Sequence, residues 1–219
     1  MLAAMKTAWI AGATGLVGSR LLVHLLADPS FARVVSLGRR TLELSSPKLS
    51  QRQIDFAALD VAGLPAPEVV FCALGTTIAQ AGSQAAFRAV DHDAVLNLAK
   101  AALAAGASSF VVVSSLGADA KSRVFYNRVK GETEADLREL GFASLGIAQP
   151  SLLLGERAQA RPGERVAIVA SRVLGGLLRP FAWRPIEADV VARALIAISR
   201  ESQPGATVYP SSRLHALGA

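Results

Sequence analysis

The stretch Ile10-Ala11-Gly12-Ala13-Thr14-Gly15-Leu16-Val17-Gly18 decides the fold. The apolar run Ala8 to Ala11 has the character of a buried strand, and Ser19 to Leu26 reads as a helix. Three glycines therefore stand between a strand and a helix, and each has a task there. Gly12 lets the chain turn tightly off the strand. Gly15 removes the Cβ that would keep a phosphate from the backbone. Gly18 lets the helix pack closely on the sheet. The helix N-terminus then offers unpaired N–H groups and a partial positive charge to an anion, here a pyrophosphate. Lys6 and the apolar residues after it also have the outline of a secretory leader. The glycines fall inside that run, however, and a strand-turn-helix accounts for it better.

Working outward, Asp28-Pro29-Ser30 breaks the helical pattern, and Arg33 to Leu37 is expected as a second strand ending at Gly38-Arg39-Arg40. Gln51 to Phe56 carries a weak strand signal. Val69 to Leu74 carries a strong one that ends at Gly75-Thr76-Thr77. Phe87, Val90, Val95, Leu98, Ala102 and Leu103 recur near the helical period and predict one helix over Ser83 to Ala105, stopped by Gly106. A strand from Phe110 to Val113 closes on Ser114-Ser115. A helix from Tyr126 to Leu140 follows, with Gly141 just past its end. Leu145 to Ala148 is a strand stopped by Pro150. Helices are expected near Arg165 to Leu178 and over Ala188 to Ser199, and the chain past Pro204 as partly irregular.

Strands alternate with helices and read as continuous apolar runs. The expectation is an α/β fold, a Rossmann-type doubly wound parallel sheet covered on both faces. The length suits a single domain over residues 1–219, with 150–219 contributing a small substrate-side lobe. Ligands in such sheets sit beyond the carboxyl ends of the strands. Gly12, Arg39, Gly75, Ser115 and Pro150 all fall at such ends, which argues for one shared site.

The net charge is +6, but the arginines scatter singly or in pairs without interleaved aromatics, so no nucleic-acid partner is expected. Cys72 is the one cysteine, set inside an apolar run. It reads as a buried strand residue, and its solitude excludes a disulfide framework and fits the reducing cytoplasm. The best candidate for a bilayer span, Val166 to Leu178, is short and holds Arg172, so no membrane insertion is expected. His24, His92 and His215 lack metal-ligand spacing, so no metal is expected, and they read as surface or helix-packing residues. Asp91 and Asp93 around His92 read as a solvated helix face. Trp9 reads as core, and Trp183 as substrate-side packing.

Two clusters can carry chemistry. Arg39 and Arg40 follow the second strand about twenty residues beyond the glycine turn, where an acid would hold the ribose 2′-hydroxyl of NAD. Gly38 stands in the place of that acid, and arginine there suits a 2′-phosphate, so the expected cofactor is NADP(H). Tyr126 and Lys130 are four apart at a helix start and share a face. Free tyrosine titrates near pH 10 (roughly), and a neighbouring ammonium favours its phenolate. Ser114 or Ser115, closing the preceding strand, is placed to hydrogen-bond a substrate oxygen.

Taken in order, these pieces resemble an atypical short-chain dehydrogenase/reductase of the Tat-interacting-protein oxidoreductase type, a group often labelled NAD-dependent epimerase/dehydratase-like. The resemblance rests on Gly12 to Gly18, Gly38-Arg39-Arg40, Asp55-Phe56, Leu74-Gly75-Thr76-Thr77 and Val90-Asp91. It continues through Ser114-Ser115-Leu116-Gly117-Ala118-Asp119, Tyr126 with Lys130-Gly131-Glu132, and Arg161-Pro162-Gly163-Glu164. It implies a cofactor site with Thr14, Gly15, Leu16 and Val17 on the pyrophosphate, and Arg39 and Arg40 on the adenosine phosphate. Asp55 and Phe56 lie near the adenine, and Leu74, Gly75 and Thr76 beside the ribose. Tyr126 and Lys130 touch the nicotinamide ribose as well as the reaction centre. Pro150, Leu153 and Arg161 lie at the nicotinamide end.

The implied activity is an NADP(H)-dependent oxidoreductase acting on a small carbonyl or alcohol. Tyr126 would be the general acid/base, Lys130 would lower its pKa, and Ser115, with Ser114 as second choice, would polarise the substrate oxygen. The alternatives are a non-catalytic NADP(H)-binding sensor or assembly protein, and an epimerase or isomerase with bound cofactor. A homodimer or a protein partner is compatible with each. The chain departs from the group at three places. Gln149 precedes Pro150 where arginine is usual. Ala73-Leu74-Gly75-Thr76 replaces the Asn-Asn-Ala-Gly of the better-known reductases. The asparagine of the proton relay has no secure counterpart, Asp91 and Asn97 being the nearest.

Overall fold

The protein is described from a computed structural model over residues 5–155 and 184–219. Its strands are β1 (Lys6–Ala11), β2 (Phe31–Gly38), β3 (Leu49–Gln53), β4 (Val69–Cys72), β5 (Ser109–Val113), β6 (Ser144–Gln149), β7 (Leu153–Leu154), β8 (Ile186–Glu187) and β9 (Gly205–Pro210). Seven of them form one sheet in the order β3-β2-β1-β4-β5-β6-β9. Every pairing in it is parallel. β7 and β8 make a separate short pair. The strand order reverses between β1 and β4, and the crevice past their carboxyl ends is the ligand position for such a sheet. The fold is the expected doubly wound α/β one.

The helices are α1 (Leu16–Ala27), α2 (Ile78–Ala81), α3 (Gln84–Arg88), α4 (Ala94–Ala104), α5 (Phe125–Glu139), α6 (Ala188–Glu201) and α7 (Ser211–Leu217), with a π-helical turn at Ala89–Asp93 between α3 and α4. Successive strand residues face opposite sides, so the sheet has two cores. Ala8, Ile10, Val34 and Phe71 face Leu21 and Leu25 of α1 and Val191 and Leu195 of α6. Trp9, Val35, Val70 and Phe110 face Val95 and Leu98 of α4 and Leu137 of α5. Trp9 is fully buried as expected, and its indole N–H donates to the Pro65 carbonyl at 3.0 Å.

Three expectations are corrected. The third strand lies earlier than Gln51 to Phe56, because the edge position of β3 asks only for backbone pairing with β2 and its side chains stay polar. The predicted helix over Ser83 to Ala105 is broken by the π-helical turn. The chain past Pro204 is regular: β9 pairs with β6, and α7 follows directly. Its exposed edge carries little apolar patterning, with Tyr209 its buried side chain. Of the stretch from Pro150 onward assigned to a lobe, α6, β9 and α7 build onto the main sheet. A Cβ on Gly146 of β6 would lie 2.4 Å from the Ile198 side chain, which is how closely α6 packs. The helix expected near Arg165 to Leu178, Trp183 and Arg161 lie outside the described residues.

Candidate active site

The glycine turn is as tight as the sequence requires. Gly12 has φ +88°, and a Cβ there would sit 2.4 Å from the Ala73 carbonyl oxygen just past β4. A Cβ on Gly18 would sit 2.1 Å from the Gly12 oxygen. The Gly15 N–H donates to that same oxygen at 2.9 Å and closes the turn. Gly15 also caps α1, with no side-chain cap bond and no acidic residue in the first turn. The first N–H groups of a helix have no partner within it, and the helix dipole is positive at that end. With a glycine at the cap and no acidic residue in the first turn, the turn suits a diphosphate. Thr14 is exposed at its mouth, Leu16 half-buried and Val17 buried. A Cβ on Gly155 would lie 3.0 Å from Leu16, so the β7 segment carrying Leu153 reaches the start of α1. Pro150 is buried, and its carbonyl accepts the Leu116 N–H at 2.9 Å.

At the other end of the crevice, Arg39 and Arg40 are exposed just past β2. Gln53 steadies the loop by donating to the Arg39 carbonyl at 2.8 Å. The exposed Asp55 accepts the Ala57 N–H at 2.9 Å. Phe56 is buried in the α4–α5 core, and Asn97 donates to its carbonyl at 2.9 Å. Asn97 is thus engaged in holding this loop, away from Lys130.

Tyr126 and Lys130 stand on successive turns of α5. Lys130 is buried, and its Nζ lies 2.7 Å from Asp91 Oδ1. The other Asp91 oxygen accepts the Thr76 N–H at 2.8 Å. A Cβ on Gly75 would lie 3.4 Å from Asp91 Oδ1 and 3.8 Å from Lys130 Nζ, so the ammonium lies against Gly75 of the loop following β4. Burial by itself drives the Lys130 ammonium toward the neutral amine. The Asp91 carboxylate, then the Tyr126 phenol, outweigh it and hold the group above its ordinary value. The Tyr126 ring packs on Phe87 at 5.4 Å between centroids.

The expectation that Asp91 lies on a solvated face is corrected: it is 1% exposed, while Asp93 is exposed. The π-helical turn supplies the reason, since its wider ring inserts a residue and rotates Asp91 inward. The signal was present in the sequence as a spacing of five between Val90 and Val95, too long for a regular helix. His92 beside it is buried and contacts Asp93 at 2.7 Å and Asp136 at 2.9 Å.

The two serines differ. Ser114 is buried and donates to Glu134 at 2.5 Å, and Gln149 donates to both Glu134 oxygens at 2.9 and 3.1 Å. Ser115 is half-exposed, with one long bond to the Leu116 carbonyl at 3.4 Å. The loop after β5 rests directly on α5, because a Cβ on Gly131 would lie 2.1 Å from Ala120 N and 2.2 Å from Asp119 C. Gly131 and Glu134 were absent from the expected site. A glycine inside a helix was the available sign for the first. Cys72 is buried as expected, and burial pushes its thiol up to about 12.

A glycine turn at the switch point of a parallel sheet, with a Tyr-Lys pair against the adjoining loop, defines a protein with a dinucleotide-binding fold. The chain belongs to the family described as NAD(P)H-binding, which it matches over residues 12–142. It is 35% identical over 202 residues to the protein fmp52, mitochondrial, of Emericella nidulans, covering 88% of this chain and 86% of that one. It is 40% identical over 167 residues to the protein HTATIP2 of Rattus norvegicus, covering 74% and 69%. Among solved structures it is similar to MoeE5 in complex with UDP-glucose and NAD, with TM-score 0.71 and 20% identity over 92% of this chain and 74% of that one. A UDP-galactose 4-epimerase gives TM-score 0.71 at 15% identity, covering 93% and 77%. These two establish the shared fold. The expected cytoplasmic location is overturned, since the relatives from Emericella nidulans, Aspergillus fumigatus and Coccidioides immitis are all named mitochondrial. Among the described residues no helix is long and apolar enough to cross a membrane.

Proposed function

We propose that the protein is an NADP(H)-dependent oxidoreductase acting on a small carbonyl or alcohol. One observation carries the reading: a buried, charged Lys130 lies against Gly75, one helical turn from Tyr126. Gripping a diphosphate calls for the glycine turn, whereas moving a proton through Tyr126 near neutral pH calls for a cation beside its phenol. The N–H groups at the start of α1 would hold the diphosphate, and Arg39 and Arg40 the 2′-phosphate. Leu74, Gly75, Thr76, Pro150 and Leu153 would line the nicotinamide ribose side. Bound NADP(H) supplies the hydride or accepts it. The chain's own part is orientation and proton movement. The Tyr126 hydroxyl hands its proton to the substrate oxygen, Ser115 Oγ donates a hydrogen bond to that oxygen, and the Lys130 ammonium stabilises the phenolate left behind. Ser114, engaged by Glu134, would fix the Ser115 backbone.

The test follows NADPH absorbance with a panel of aldehydes, ketones and quinones, for wild type and Tyr126→Phe. Loss of a general acid costs about 10²–10⁴-fold in rate. That loss, with NADPH binding kept within about threefold, is the expected result. NADPH binding without Tyr126-dependent oxidation of any substrate would overturn the reading in favour of a sensor. Product interconversion with no net absorbance change would favour an epimerase.

A further inference from the structure

We propose that Asp91 is a positioning residue that keeps the Lys130 ammonium charged and aimed for Tyr126. The role of Tyr126 in turnover rests on the function proposed above; the electrostatic inference concerns the free protein. Three structural observations support it. First, the ion pair is short and enclosed: 2.7 Å, with the two side chains 6% and 1% exposed. Second, Asp91 is held from two elements. Its second carboxylate oxygen accepts the Thr76 N–H at 2.8 Å, and Thr133 Oγ1 of α5 fixes the backbone that carries the side chain, donating to the Asp91 main-chain carbonyl at 3.0 Å. Third, the backbone departs from regular helix at the turn that carries Asp91, and such π-helical turns concentrate at functional sites.

The groups around the ammonium define its charge. Asp91 faces it from the π-helical turn, the Cys72 thiol from β4, and Tyr126 from its own helix. Glu134, one turn on, lines the same small internal cavity with Ser114 and Thr133. Cys72 stays neutral to about 12 and Glu134 is engaged by Ser114 and Gln149, so Asp91 is the direct counter-charge. Without it, burial works against the Lys130 charge with its nearest counter-ion gone, and the neutral amine is favoured. Tyr126 then loses the cation that favours its phenolate.

The chain makes this measurable, because it has two tyrosines and the second, Tyr209, is pushed up to about 12 by burial and by its bond to Glu201. Ultraviolet titration of phenolate formation in the ligand-free protein, compared with the same titration of Tyr126→Phe, isolates the step that belongs to Tyr126. Asp91→Asn should raise the Tyr126 midpoint by about one pH unit or more, with circular dichroism confirming the fold. In a Lys130→Met background the same change should lower the midpoint, since only a repelling carboxylate then remains to be removed. This inversion also serves if the single Asp91→Asn protein fails to fold. A midpoint that falls or stays fixed in Asp91→Asn, or a change of the same sign in both backgrounds, overturns the proposal. No substrate or dinucleotide enters the titration. Absence of NADPH turnover would refute the proposed function and leave this result standing.

Discussion

Gly131→Ala tests how the serine loop is held against the Tyr-Lys helix. In an exposed helix this change stabilises by up to about 1 kcal/mol. Here the added Cβ would lie 2.1 Å from Ala120 N and 2.2 Å from Asp119 C, more than 1 Å inside ordinary contact distance. Both neighbours are backbone, so no rotamer change relieves the overlap. Overpacking of this kind costs up to about 3 kcal/mol, which leaves a net loss of about 2 kcal/mol after the helical gain. For a domain of this size that corresponds to a fall in Tm of about 4–8 °C. Calorimetry reads the loss, with exposed Glu139→Ala on the same helix as a control expected to change Tm by less than about 2 °C. The loop should move as a unit, since the Asp119 N–H is also held by the Asn127 carbonyl at 3.0 Å. Hydrogen exchange at Leu116, whose N–H donates to Pro150, should accelerate. A variant as stable as wild type, or one with Leu116 equally protected, would refute the close packing of this loop on α5.

Replacing both Arg39 and Arg40 with serine should weaken NADPH binding by about 10- to 100-fold, the lower part of the range for charge-assisted hydrogen bonds at an exposed site. NADH binding should stay within about threefold, and isothermal titration with both dinucleotides decides the matter; equal losses for the two would remove the 2′-phosphate assignment. Alkaline stability gives a separate check. Lys130 is held above 10.5 and Tyr209 is raised to about 12 in the folded protein. Each therefore contributes stability that is complete below its unfolded value and is lost as pH rises through its folded value. Denaturant midpoints should be flat from neutrality to about pH 10 and fall steeply above it, and Lys130→Met with Tyr209→Phe should flatten that fall.

The sequence revealed most where one residue type answers to one backbone demand. Gly12 and Gly18 could be assigned because only a missing Cβ allows the approaches of 2.4 and 2.1 Å found there. Trp9, Val70 and Phe110 could be assigned because a central parallel strand is buried on both faces. Edge strands were hidden for the opposite reason: β3 and β9 are held by backbone pairing, and most of their side chains meet water. The burial of Asp91 was hidden because a carboxylate next to His92 and Asp93 looks solvated under regular helical geometry, and one inserted residue turns it inward. Glu134 of α5 was hidden because its partners Ser114 and Gln149 stand at the ends of two neighbouring strands, β5 and β6, a coincidence that only the sheet order creates.

The Asp91–Lys130 pair bears on what the fold was shaped for. Removing two charges from water costs several kcal/mol per ion, and two apolar residues of matching volume would stabilise the interior as well or better. Val95, Val112, Val113 and Leu137 line the same cavity, so apolar side chains stand ready to pack at this point. Packing alone therefore gives no account of an ammonium at this point. Its location does. The charge sits against Gly75 at the switch point, one helical turn behind a phenol, and its counter-ion is fastened to the Thr76 N–H of the same loop. A cation that served only to balance the helix could have remained on the outer face of α5, where Arg128 and Arg138 are. Burying it raises the strength of its interaction with Tyr126 by excluding water from between them, and Asp91 is what allows the charge to survive there.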